Sequence, residues 1–168
     1  MPSITEGSLT FQFPEDWRIT KFDEWSFIRN KFQNVCGGSK AVDILTIDTH
    51  HCVWIIEIKD YRLYPRNKGI GIAEEVAYKV RDSLAALVAA RVNADDDSEK
   101  DFSKNALKCT DIKVVLHLEQ PTKHSKLFPR PFDPSMIVNK LKQLLKAIDP
   151  HPKVLEKKHP GNIAWSVS

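Results

Sequence analysis

The chain has 168 residues, of which 42% are hydrophobic and 28% are charged, and its formal net charge is +3. This length and composition predict one folded domain over residues 1–168 and exclude a fully disordered chain, and no apolar run approaches the roughly 20 residues of a membrane-spanning helix. The mildly basic charge permits a nucleic-acid partner without requiring one.

The N-terminal part is predicted to contain three strands and one helix. Alternating apolar and polar residues predict a short strand over 9–13. Apolar side chains spaced three and four residues apart predict a helix over 22–32, with Asp23 as its N-cap. The segments 41–48 and 52–61 are rich in β-branched and aromatic residues, and they predict two antiparallel strands joined by a hairpin turn.

The C-terminal part begins with the clearest helical pattern of the chain, over 72–93. Its apolar stripe consists of Ile72, Val76, Val80, Leu84, Leu87 and Val88. The charged segment 94–108 is predicted to be a mobile loop. The remaining predicted elements are a strand at 112–118, a loop at 120–132, a helix at 134–148 begun by Asp133 and Pro134, and a strand at 162–167.

The order of these elements predicts an α/β fold with a mixed central β-sheet flanked by helices. The N-terminus lacks the basic and apolar regions of a secretory signal, and the three cysteines are too few and too widely spaced for a disulfide framework. We therefore expect a cytoplasmic protein with reduced thiols and no contact with a membrane.

Three charged residues are singled out because they fall on otherwise apolar strands. Glu57 and Lys59 are two residues apart on the second hairpin strand, so their side chains point to the same side of the sheet. Antiparallel pairing places Asp43 across from this pair, with opposed Cβ atoms about 5 Å apart. Unpaired buried charge is costly, so the three groups are expected to be solvated, paired with one another or bound to an ion.

Two carboxylates and an amine at one end of a sheet suit a hard divalent cation. Mg²⁺ is typically held by one or two carboxylates together with water and substrate phosphate, and Mn²⁺ can replace it. Such an ion lowers the pKa of a bound water, and a neighbouring lysine can orient that water or stabilise charge on a phosphate. The alternative interpretation is a solvated sheet edge or a structural ion pair between Lys59 and Asp43.

The segments GGSKAVDIL and WIIEIKDY resemble the core of the PD-(D/E)XK nuclease superfamily, which includes restriction endonucleases and archaeal Holliday-junction resolvases. The resemblance implies a restriction endonuclease-like αβββαβ core. It also implies that Asp43, Glu57 and the backbone carbonyl of Ile58 hold the metal, and that Lys59 is the catalytic lysine. Glu24 on the preceding helix resembles an additional acid of that superfamily.

On this resemblance the chain is expected to be a Mg²⁺-dependent nuclease, a hydrolase that cleaves phosphodiester bonds in DNA. The alternatives are a catalytically inactive nuclease-fold module for binding or assembly, and an RNA-cleaving nuclease that uses the same residues. The sequence shows no separate recognition domain, so a homodimer or a subunit of a larger complex is expected.

Basic residues near the predicted site are candidates for contact with a nucleic-acid backbone. Three of them, Arg62, Arg66 and Lys68, directly follow the strand that carries Glu57 and Lys59, and Lys79 lies on the long helix. A solvated surface would explain each of these residues equally well.

Overall fold

The structure, a computed structural model, describes residues 1–121 and 132–168 as a mixed α/β arrangement of two β-sheets and several helices. The broad α/β prediction is therefore confirmed. Most of the loop predicted at 120–132 lies outside the described residues.

The central sheet has five strands in the order β3-β4-β5-β6-β7. These strands are β3 (Arg18–Lys21), β4 (Ile44–Ile47), β5 (Cys52–Asp60), β6 (Asp111–Glu119) and β7 (Lys153–Leu155). The pairings β3–β4 and β4–β5 are antiparallel, whereas β5–β6 and β6–β7 are parallel. The sheet is thus mixed, and β5 lies at its centre.

A second, three-stranded sheet is antiparallel and has the order β1-β2-β8. Its strands are β1 (Ser3–Glu6), β2 (Leu9–Gln12) and β8 (Ser166–Val167). The sequence predicted β2 and the position of β8 but missed β1, β3 and β7, because three or four residues carry too little alternation to be distinguished from a loop.

Four α-helices lie within the described residues. They are α1 (Ser26–Asn30), α2 (Ile72–Asn93), α3 (Asp97–Ala106) and α4 (Pro134–Leu144). Asp133 caps α4 as predicted, since its side chain accepts a hydrogen bond from the backbone N–H of Ser135 at 2.9 Å. None of the described helices has the length and apolar character that crossing a membrane would require.

The two faces of the central sheet are covered by different partners. Alternate residues of β5 point to opposite faces. Ile55 belongs to a core cluster that includes the buried side chains of all four helices, whereas Ile56 belongs to a cluster that includes the three-stranded sheet. The helices therefore cover one face, and the small sheet covers the other.

The helix predicted at 22–32 is broken into shorter pieces. A 3-10 turn (Phe22–Glu24) precedes α1, and a second 3-10 segment (Phe32–Gly37) follows it. The backbone of Trp25 is extended, with ψ of 139°, and so separates the first turn from α1. Asp23 is accordingly not an N-cap. The apolar side chains of this segment are still buried, although the backbone does not form one continuous helix.

Helix α3 occupies the segment predicted to be a mobile charged loop at 94–108. Asp96 caps it by accepting hydrogen bonds from the backbone N–H groups of Ser98 at 2.7 Å and Glu99 at 3.3 Å. Phe102 and Ala106, four residues apart, are buried on its inner face. The sequence analysis missed this short amphipathic helix because most of its residues are charged or polar.

Glu99 joins α3 to the start of α1. Its carboxylate is buried and accepts hydrogen bonds from the backbone N–H groups of Ser26 at 2.6 Å and Phe27 at 3.1 Å, and from the Ser26 hydroxyl at 3.0 Å. The first turn of α1 is therefore capped by a residue 73 positions away in the sequence.

The Glu99→Ala variant is expected to lower the free energy of unfolding by about 2–3 kcal/mol, because it leaves the buried backbone N–H of Phe27 and the partly buried N–H of Ser26 without their acceptor. Asp97→Ala, at an exposed position of the same helix, is the matched control and should change the value by less than about 0.5 kcal/mol. Urea denaturation measures both. Equal losses in the two variants would contradict the capping role of Glu99.

Candidate functional site

The register of the central hairpin brings Asp43 and Glu57 together. Ile44 of β4 pairs with Ile56 of β5, so Asp43, one residue before β4, lies opposite Glu57. Both side chains are buried. One carboxylate oxygen of Asp43, Oδ2, accepts a hydrogen bond from the backbone N–H of Ile58 at 2.6 Å, which fixes this carboxylate against β5.

Two lysines supply the positive charge next to Glu57. The Nζ atoms of Lys59 and Lys79 each lie 2.7 Å from the same oxygen of Glu57, Oε1. The Nζ of Lys79 also lies 3.7 Å from Oδ1 of Asp43. Lys79 reaches the sheet from α2, so the packing of this helix on the sheet completes the group that the hairpin begins.

A third carboxylate, Glu75 on α2, extends this arrangement. It contacts the Nζ of Lys59 at 3.2 Å, Nη1 of Arg66 at 2.5 Å and the Nζ of Lys68 at 2.6 Å. The resulting group, here termed the ion cluster, consists of Asp43, Glu57, Lys59, Arg66, Lys68, Glu75 and Lys79. It contains three acidic and four basic side chains.

Burial and neighbouring charge shift the protonation of the cluster. Burial, reinforced by the nearby charge of Glu57, raises the pKa of Asp43 to about 7. Burial alone would also raise the pKa of Glu75, but hydrogen bonds from Lys68 and Arg66, with the charge of Lys59, outweigh it and lower the pKa to about 2.

Lys59 is held in its charged form. Its burial favours the neutral amine, but the charge and hydrogen bond of Glu57 outweigh burial and raise the pKa of Lys59 above its ordinary value. A general base would need the opposite shift. Lys59 is therefore a counter-ion in this arrangement.

The other residues predicted for the site have separate partners. The guanidinium of Arg62 pairs with Asp60 at 2.6 Å, outside the ion cluster. Glu24 is exposed and pairs with Lys21 at 3.0 Å and with Arg29 at 3.6 Å. The backbone N–H of Ile58 donates a hydrogen bond to Asp43. Binding of a metal by the backbone carbonyl of Ile58 stays a prediction.

Asp43 and Glu57 are the predicted ligands of a metal ion. Within residues 1–121 and 132–168, no group of three or more His, Cys, Asp or Glu side chains is arranged to hold a metal ion. The pair of Asp43 and Glu57 retains one feature that suits a cation, since Oε2 of Glu57 is buried without a hydrogen-bond partner among the described residues. The two ammonium groups at Oε1 would compete with such an ion.

A concave cavity of about 270 Å³ lies beside the ion cluster, between α2 and the segment before β4. Four basic side chains line this basic cleft: Lys40, Lys68, Lys79 and Arg81. Two acidic side chains, Glu75 and Asp82, also line it. The excess of basic groups favours an anion.

Several residues of the cluster and the cleft were not predicted from the sequence. Glu75 was assigned no role, and Lys79 was predicted only as a contact for nucleic acid, yet both side chains are largely buried. Their spacing of four residues, parallel to that of Val76 and Val80, was the available signal. By contrast Val88, predicted in the stripe, is 58% exposed.

Asp23 is a further acidic group that sequence reasoning did not assign to the site. Its Oδ1 is buried without a hydrogen-bond partner among the described residues. Burial, followed by the charge of Glu6, raises its pKa, and the charge of Lys79 acts in the opposite direction. Asp23 thus lies within electrostatic reach of the ion cluster.

The Asp43→Asn variant is expected to gain stability relative to the wild type as the pH rises. Asp43 has a raised pKa in the folded state, so between pH 3.8 and about 7 the unfolded chain loses this proton first, and the wild type loses stability with increasing pH. The asparagine does not titrate, so the variant avoids this loss. The free energy of unfolding of the variant minus that of the wild type should therefore increase by at most about 4 kcal/mol across this range.

Urea denaturation at a series of pH values measures this difference, and Asp16→Asn at an exposed position is the matched control. A difference between Asp43→Asn and wild type that is constant with pH, or that falls, would contradict the raised pKa.

Comparison with known proteins gives one informative relative. The chain is 40% identical over 177 residues to a cysteine–tRNA ligase of Neisseria meningitidis serogroup A / serotype 4A (strain DSM 15465 / Z2491). The match covers 87% of this chain and 25% of that protein, so the chain spans about a quarter of the relative's length. No family model matches the chain, and no solved structure matches it.

This relative overturns the predicted identity and activity. It is named a ligase, so membership of the PD-(D/E)XK superfamily and the activity of a metal-dependent nuclease or other hydrolase are wrong predictions. The pattern misled because an acid, a glutamate and a lysine on paired strands can also be mutual counter-ions, as Glu57 and Lys59 are here. The finer prediction of a restriction endonuclease-like core stays a prediction, as does contact of Asp43, Glu57 and Lys59 with a substrate.

Proposed function

We propose that this domain binds tRNA through the basic cleft, as one part of a protein related to cysteine–tRNA ligase. The observation that carries the proposal is the convergence of four basic side chains on one concave cavity. The type of nucleic acid is taken from the relative's name, since that protein acts on tRNA. Basic side chains that neutralise phosphates and release counterions supply most of the affinity in such interfaces.

The ion cluster supports this role by holding part of the cleft in place. Lys79 is fixed by Glu57, and Lys68 is fixed by Glu75, each at a distance below 3 Å. Lysines held in this way lose less conformational freedom when a phosphate arrives. Lys40 and Arg81 are exposed at the rim and remain able to reach a phosphate.

The predicted DNA partner is replaced here by RNA, because the relative's name specifies tRNA. DNA of the same sequence is the natural comparison in a binding assay. A homodimer, a larger complex and a cytoplasmic location stay predictions.

The triple variant Lys40→Ala/Lys68→Ala/Arg81→Ala is expected to bind tRNA at least about tenfold more weakly at 0.1 M salt. The slope of log affinity against log salt concentration should become shallower by about 1 for each phosphate that the variant no longer neutralises. Filter binding over a salt series measures both quantities.

The matched control is Lys104→Ala/Lys142→Ala/Lys146→Ala, which removes the same net charge from exposed positions outside the cleft. If the control variant weakened tRNA binding as much as the cleft variant, attraction would be a property of net charge and the proposal would fail.

We further propose that Asp43 and Glu57 can hold one Mg²⁺, in competition with Lys79. The unpartnered Oε2 of Glu57 and the nearby carboxylate of Asp43 provide the oxygen ligands. Mg²⁺ needs only one or two protein carboxylates when water and phosphate complete its coordination. Such an ion would contribute positive charge next to a bound RNA phosphate.

Replacement of Lys79, whose ammonium group competes with the ion, should make binding of the ion measurable. Lys79→Met is expected to bind Mn²⁺, used as a probe for Mg²⁺, at least about tenfold more tightly than the wild type, because a like charge has been removed. Asp43→Asn should remove binding in the same background. Electron paramagnetic resonance of free Mn²⁺ measures both, and equal Mn²⁺ binding with and without the Asp43 carboxylate would rule out this ion.

A further inference from the structure

We infer that the basic cleft receives an unpaired nucleotide of RNA, whose base stacks on the paired side chains of Tyr78 and Arg81 while its phosphate contacts the cleft lysines. This inference rests on the proposed binding of RNA and specifies which part of the RNA the cleft recognises.

Tyr78 and Arg81 form an exposed surface at the cleft. Both lie on α2 and both line the cavity. The guanidinium carbon of Arg81 lies over the Tyr78 ring, 5.1 Å from its centroid. Tyr78 is 50% exposed, and the side chain of Arg81 is 66% exposed. Aromatic rings and guanidinium planes are the two surfaces on which unpaired RNA bases stack.

Asp82 holds this surface in position. Its Oδ1 accepts hydrogen bonds from Nε of Arg81 at 3.1 Å and from Nη2 at 3.0 Å. Its Oδ2 accepts a hydrogen bond from the backbone N–H of Lys40 at 3.3 Å, which joins α2 to the segment before β4. The guanidinium is therefore oriented before a ligand binds, and a preorganised group loses less entropy on binding.

The shape of the site favours an unpaired nucleotide over a duplex. A cavity of about 270 Å³ is near the lower limit of the sizes that enclose small ligands, so it admits a single protruding group. The bases of an RNA duplex are stacked inside the helix and present only their edges in a shallow groove. Only an unpaired base can place its face on the Tyr78–Arg81 surface.

The charges beside this surface match the rest of a nucleotide. Lys40, Lys68 and Lys79 line the same cavity and can contact the phosphate that follows the base. Base stacking beside a positively charged track is the usual arrangement in proteins that bind single strands. A simple surface pair of residues three apart on a helix would explain Tyr78 and Arg81 alone, but it would not place three lysines around the same cavity.

The test uses fluorescence anisotropy to compare two RNA probes, a labelled octamer of uridine and a 16-base-pair hairpin whose strands are joined by a linker without bases. Tyr78→Ala is expected to weaken octamer binding about tenfold, because stacking is lost. Tyr78→Phe should bind the octamer within about twofold of wild type, because the ring remains. Arg81→Lys keeps the charge but loses the plane, so it should weaken octamer binding and leave hairpin binding within about twofold.

The two levels of the proposal fail in different ways. If Tyr78→Ala weakened binding of the octamer and the hairpin equally, or of neither, the inference of an unpaired base would be overturned while binding of RNA to the cleft could stand. If Lys40→Ala/Lys68→Ala left the binding of both probes unchanged, the proposed function itself would be overturned. Thermal unfolding of each variant confirms that the exposed substitutions leave the fold intact.

Discussion

The structure depends on how one buried glutamate is neutralised. Glu57 lies on the central strand of the central sheet, where an unpaired carboxylate would cost several kcal/mol. Lys59 from its own strand and Lys79 from α2 each approach the same oxygen of Glu57 at 2.7 Å. This contact joins the long helix to the sheet at a fixed position. The same helix contributes Tyr78, Lys79 and Arg81 to the lining of the basic cleft.

The same interaction determines the chemistry that the site supports. Because Lys59 is paired with Glu57, the pKa of Lys59 is raised, away from the range that a general base requires. The ion cluster has four basic and three acidic members, and the cleft beside it also has more basic than acidic side chains. A site of this kind is suited to holding a phosphate. This agrees with a relative that acts on tRNA and is named a ligase.

Sequence reasoning placed the central residues but not their role. Alternation along β5 and pairing across the hairpin were sufficient to bring Asp43, Glu57 and Lys59 to one place. They could not show that Lys79 would enter the same group, because that depends on how α2 packs on the sheet. Helix α3 was missed since its stabilising contact, from Glu99 to the start of α1, spans 73 positions of sequence. The predicted hydrolase was wrong because mutual counter-ions and metal ligands share one residue pattern.

The most direct test of the basic cleft is a map of where tRNA touches the protein. Ultraviolet crosslinking of tRNA to the full chain, followed by mass spectrometry of the attached peptides, provides this map. We expect the crosslinks to concentrate in the peptides that contain Lys40, Lys68 and Tyr78, which surround the cavity. Crosslinks confined to α4 or to the three-stranded sheet would show that tRNA binds elsewhere and would contradict the account.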